Sequence, residues 1–151
     1  IFNKASKINK GRNGSIKRNR KVMKTQSEAV IQQQIYNYFN NTYCLKHHNP
    51  RLIIYHVPNG IPIPLPPKIL SRVLDLLHKM GMVNGVSDLK IEGVLGRCVS
   101  VEVKTSTGTQ SPAQIEMQKR IEDLGGVYLL VRNLESFQTQ IEKHLVYLLN
   151  P

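Results

Sequence analysis

Gly85-Val86-Ser87-Asp88-Leu89-Lys90-Ile91, followed after a turn containing Gly93 and Gly96 by Val101-Glu102-Val103-Lys104-Thr105, decides how this 151-residue chain is read. The spacing predicts two short strands, roughly 87–92 and 98–104. Side chains alternate along a strand, so Glu102 and Lys104 point one way while Val101 and Val103 point into the core. Asp88 begins the neighbouring strand, and the connection is short enough to bring it beside Glu102. Two carboxylates and an ammonium thus meet inside an otherwise apolar sheet. Hard divalent cations take oxygen ligands of this kind, and magnesium keeps several waters while binding one or two carboxylates. The backbone carbonyl of Val103 lies between the two functional side chains and is a further candidate ligand. A metal-bound water has a lowered pKa and suits attack on phosphorus. Lys104 then orients or helps to deprotonate it and offsets charge growing on the phosphoryl oxygens. The competing reading is a salt-bridged sheet edge, with all three groups facing solvent.

Two polar residues on flanking helices carry the same double reading. Glu28 precedes Ile31 and Ile35 by three and seven positions, on the stripe expected to face the core. It either completes a capping box with Thr25 or supplies a carboxylate to a second metal or to the first metal's waters. In Ser111-Pro112-Ala113-Gln114, Gln114 fits a capping box; its amide also suits a metal water or a phosphate at the positive helix end. Gln118, one turn later, is the weaker candidate.

The elements follow from periodicity. A helix over 25–43 is expected from Ile31, Ile35, Tyr38 and Phe39. Leu52–Val57 reads as a strand closed by the Pro58-Asn59-Gly60 turn, and the prolines of 61–67 require an extended loop. A second helix, about 68–80, has Ile69, Val73, Leu76, Leu77 and Met80 as its apolar stripe. A third starts at Ser111-Pro112 and stops at Gly125-Gly126, with Met117, Ile121 and Leu124 on one face. Val127–Val131 fits a fully covered interior strand, and a last helix runs from about Leu134 to Leu149. The order αβαββαβα implies an α/β fold with a mixed central sheet flanked by helices. His47 and His48 form no ligand set. His56 is explained by packing or a turn, and Tyr128 is a core residue with its hydroxyl at the rim.

Composition bounds the rest. The length and 40% hydrophobic content suit one domain. No apolar run approaches a membrane span, and the basic, polar first residues do not resemble a secretory signal. Cys44 and Cys98 make no metal pattern and suggest a reducing, intracellular compartment. Net charge is +11, yet residues 1–24 hold nine Lys or Arg and no acid, leaving only +2 for residues 25–151. The chain therefore divides into a basic arm, 1–24, and a nearly neutral domain, 25–151. Lys17, Arg18, Arg20, Lys21 and Lys24 of the arm would bind DNA through counterion release, without sequence preference. A solubilising tail or vector-derived sequence is the plainer reading of the arm. Lys68 and Arg72 on the second helix are further candidate phosphate contacts, with simple solvation as the plainer reading.

Glu28, Gly85-Val86-Ser87-Asp88-Leu89, Val101-Glu102-Val103-Lys104, Ser111-Pro112-Ala113-Gln114 and the helix-glycine-strand passage Ile121–Val131 together resemble the virus-type replication-repair nuclease (VRR-NUC) family of PD-(D/E)xK nucleases. The resemblance covers about residues 25–135. It implies a restriction-endonuclease-like core and a DNA endonuclease using Mg2+ or Mn2+. Asp88 and Glu102 would bind metal, Lys104 would position the nucleophile, and Glu28 and Gln114 would complete the site. It also implies an intracellular homodimer of viral, phage or bacterial type, working in a host or bacterial cytoplasm on branched DNA such as four-way junctions. One departure is visible: Ser87 stands where the motif usually has proline. A restriction-type sequence-specific enzyme and a non-catalytic basic DNA-binding protein are the alternatives.

Overall fold

The computed structural model describes residues 25–58 and 64–150. The arm and the Asn59-Gly60 turn, with the residues after it to Ile63, lie outside these. Helix α1 (Glu28–Phe39) buries Ile31, Ile35 and Phe39, one residue per turn, and runs on through a single wider turn at Asn40–Cys44. Its cap differs from the expected Thr25–Glu28 box. Ser27, itself a good cap, accepts from the Val30 N–H at 3.4 Å and makes Glu28 the first helical residue.

Strands β1 (Ile53–His56), β2 (Leu89–Glu92), β3 (Cys98–Val103) and β4 (Val127–Val131) form one sheet in the order β1-β2-β3-β4. The first two pairings are antiparallel and β3–β4 is parallel, so the mixed sheet expected from the element order is present. Ile54, Leu89, Ile91, Val99, Val101, Val103, Leu129 and Val131 project from one face. They pack on α1 and on Phe137 and Ile141 of α4 (Leu134–Glu142). The other face carries Lys90, Ser100, Glu102 and Tyr128 and meets α3 (Pro112–Asp123), which crosses from β3 to its parallel neighbour.

Four expectations change. β4 is an edge strand, not an interior one. Its apolar run reports that α3 and α4 cover both its faces, which says nothing about how many strands flank it. Leu124 is exposed, because it sits at the α3 C-cap just past the packed face. The last helix is broken at Lys143–His144, and α5 (Leu145–Leu149) turns to place Leu148 beneath Gly93. A Cβ on Gly93 would stand 2.4 Å from the Leu148 carbonyl oxygen. Finally, α2 (Pro67–Lys79) has the amphipathic pattern expected of it, but none of its residues is fully buried. Leu76 is 57% exposed and Met80, its C-cap, 74%.

Candidate active site

The β2–β3 register pairs Leu89 with Val101, so continuing it by one residue sets Asp88 opposite Glu102. Directly opposed strand residues share a face, and like charges there repel. The repulsion is met by specific partners. Asp88 Oδ2 accepts the Val103 N–H at 2.8 Å, while its backbone carbonyl accepts from Val57 N–H at 2.9 Å. Glu102 is 0% exposed. Its Oε1 takes the Lys104 ammonium at 2.7 Å and the Gln114 carboxamide N–H, and the Tyr128 hydroxyl donates to Oε2 at 3.3 Å. A carboxylate this deep survives only with such donors.

Glu28 arrives from α1. Freed from the cap, its Oε1 accepts the Thr105 N–H at 3.4 Å, just past β3, and its charge acts on both Asp88 and Lys104. Gln114 fills the capping role expected of it and turns its amide nitrogen to a carboxylate of the cluster. Its Oε1 accepts from Ser111 N–H at 2.8 Å in a complete capping box, and its nitrogen reaches Glu102. Gln118 does not join the cluster, being bonded to Gln110 and Glu122.

Gly85 sets this helix against the Asp88 loop. Its φ is +80°, and a Cβ there would lie 2.2 Å from the Ala113 carbonyl oxygen. Only glycine allows both the left-handed backbone and that approach. Arg132, which sequence reasoning did not single out, donates through Nη1 to the carbonyls of Thr105 and Gly108 and so ties down the loop facing Glu28. His56, expected to be a packing or turn residue, touches the site's frame: its Nδ1 lies 2.9 Å from the Asp88 carbonyl oxygen. Neither arginine nor histidine carried a local pattern that foretold these contacts.

Electrostatics follow from this crowding. Burial raises the Asp88 pKa, opposed by the Val103 N–H and Lys104 and reinforced by Glu28. Burial likewise raises Glu102, with Lys104 lowering and Asp88 raising it further. Burial alone would depress Lys104, but Glu102, Glu28 and Asp88 reverse this and hold the amine above its ordinary value. Three carboxylates against one ammonium leave the cluster formally acidic.

Among the described residues, no group of three or more His, Cys, Asp or Glu side chains gathers to hold a metal. The donor set expected here is smaller: the Asp88 and Glu102 carboxylates and the Val103 carbonyl. Its all-oxygen chemistry fits a hard cation that retains water. Lys68 and Arg72 are exposed on α2 and take no part in the cluster's bonds, and Lys17, Arg18, Arg20, Lys21 and Lys24 lie outside the described residues.

In fold, the chain is similar to a solved structure described as a VRR_NUC domain protein. The TM-score is 0.60 at 18% identity, covering 80% of this chain and 88% of that one. No family model matches the sequence, and no curated protein is similar to it at a significant level. The likeness is one of architecture, an α/β mixed sheet flanked by helices. No described helix is long and apolar enough to cross a membrane.

Proposed function

We propose that this protein is a metal-dependent DNA endonuclease that hydrolyses phosphodiester bonds and prefers branched DNA such as four-way junctions. The observation that carries the reading is the meeting of Asp88, Glu102, Lys104, Gln114 and Glu28, from four separated stretches of chain, in one cluster. Asp88 and Glu102, with the Val103 carbonyl, hold Mg2+ or Mn2+. The bound cation supplies charge neutralisation at the phosphate and an acidified water. Lys104, 2.7 Å from Glu102, orients the nucleophile and offsets phosphoryl charge. Gln114 and Tyr128 fix the Glu102 rotamer, and Glu28 adds negative charge that favours the cation.

The protein acts as an intracellular homodimer whose two sites make paired cuts. The exposed apolar side chains Ile69, Leu76 and Met80 of α2 and its C-cap form the face that the second copy covers. The basic arm, together with Lys68 and Arg72, grips phosphates. A non-catalytic DNA-binding protein is the second reading, favoured by one observation: the Glu102–Lys104 pair is already closed at 2.7 Å.

Cleavage of linear, flap and four-way DNA with Mg2+ or Mn2+ separates the two. The Asp88→Ala and Lys104→Ala variants should lose cutting by about 10²-fold or more while keeping DNA affinity. Undiminished cutting in either variant would sink the enzyme reading.

A further inference from the structure

Beside the carboxylate cluster, α1 and the edge strand β1 enclose an open groove of about 510 Å³, lined by Ala29, Gln32, Gln33, Tyr36 and His56. The four α1 residues fall at i, i+3, i+4 and i+7, so they make one continuous helix face. That face begins one residue after Glu28, and Gln32 lies one turn beyond it. On the opposite wall, His56 is bonded to the Asp88 carbonyl. The groove is thus joined to the cluster along both walls.

Its lining has a consistent chemistry. Among the described residues it contains no carboxylate and no ammonium, but two carboxamides, an imidazole and a phenol ring that is 38% exposed. The Asp88 carbonyl oxygen lies 2.9 Å from His56 Nδ1, and the donor and acceptor roles of the two ring nitrogens follow the tautomer. The Gln32 carboxamide nitrogen lies 2.7 Å from the same Nδ1. Carboxamide edges and an imidazole ring hydrogen-bond the edges of bases, and an exposed aromatic ring offers a face on which a base stacks. Among the described residues, none lining this groove is a cation that would hold a phosphate. A paired base would keep its face inside the duplex.

We propose that this groove holds one unpaired nucleobase of the DNA strand, stacked on Tyr36 and flanking the phosphate bound by the cluster. The inference rests on the nuclease reading for its neighbour but specifies something that reading does not: a strand splayed next to the cut. Tyr36 is a binding residue here, exposed on a helix, so its removal leaves the fold intact.

The test uses the full-length chain and its Tyr36→Ala and Tyr36→Phe variants. The probes are a forked DNA with 2-aminopurine in the first unpaired position and a blunt duplex of the same sequence, both titrated in EDTA at fixed salt. Tyr36→Ala should weaken fork binding about tenfold or more, abolish the fluorescence quenching seen with wild type, and leave duplex affinity unchanged. Tyr36→Phe should behave as wild type. Equal affinities for wild type and Tyr36→Ala, equal losses on fork and duplex, or no DNA binding by wild type would each overturn the proposal. Parallel cleavage assays keep the two ideas apart. If wild type cuts while Tyr36→Ala binds the fork normally, the groove fails alone. If wild type quenches and Tyr36→Ala does not, yet neither cuts, the nuclease reading fails alone.

Discussion

Asp88 illustrates how function opposes stability at a single residue. Its carboxyl is raised by burial and by Glu28, so the native state binds its proton more tightly than the unfolded chain does. Stability contributed by that proton is present at low pH and is lost as pH rises from the ordinary carboxylate value through the raised one. Without metal at pH 8, Asp88→Asn should therefore melt higher than wild type, by about 2–6 °C, since asparagine still accepts from Val103. Below about pH 3.9 the two should melt together. Added Mn2+ should raise the wild-type midpoint and leave the variant unmoved. Calorimetry over pH checks this, and an apo variant that melts below wild type at pH 8 refutes the account. Glu102→Gln would not give the same gain, because it strands the Lys104 ammonium without its partner.

The element that matters most is the junction of the Asp88 loop with α3. Gly85 lets the loop lie on the first turn of α3, and that contact delivers Gln114 to Glu102. Gly85→Ala combines a left-handed non-glycine residue with a clash against backbone. It should cost about 2 kcal/mol or more, read by urea denaturation. It should also displace α3 and so weaken metal binding beyond what the stability loss explains. Normal metal affinity in the folded variant would show that α3 does not position the site. The Ser111–Gln114 cap was legible because both partners lie within one turn. The tie from Gln114 to Glu102 was legible only as an alternative use of the same amide.

For the whole molecule, the decisive features are the uncovered α2 face and the asymmetric charge. If α2 meets a second copy, Leu76→Lys should bring the mass measured by light scattering down to that of one chain and lower paired cutting of four-way DNA. A wild-type mass of one chain at every concentration tested removes the dimer. Deleting residues 1–24 removes nine of the 21 basic residues. It should flatten the dependence of DNA affinity on salt, each lost phosphate contact being worth about 0.9 in the log–log slope. An unchanged slope assigns the arm no role in binding.

Local pattern alone determined the mixed α/β order, the hairpin that opposes Asp88 to Glu102, and the shared face of Glu102 and Lys104, opposite Val101 and Val103. Each of these depends on strand alternation, helical spacing or a turn within a few residues, which sequence encodes directly. Folding in three dimensions decided the rest: that Ser27 caps α1 and leaves Glu28 to reach Thr105, that β4 lies at an edge, that the α2 stripe stays uncovered, and that Arg132 and His56 brace the site. These depend on which distant surfaces meet. An apolar stripe records the wish for a partner without saying whether the same chain supplies one.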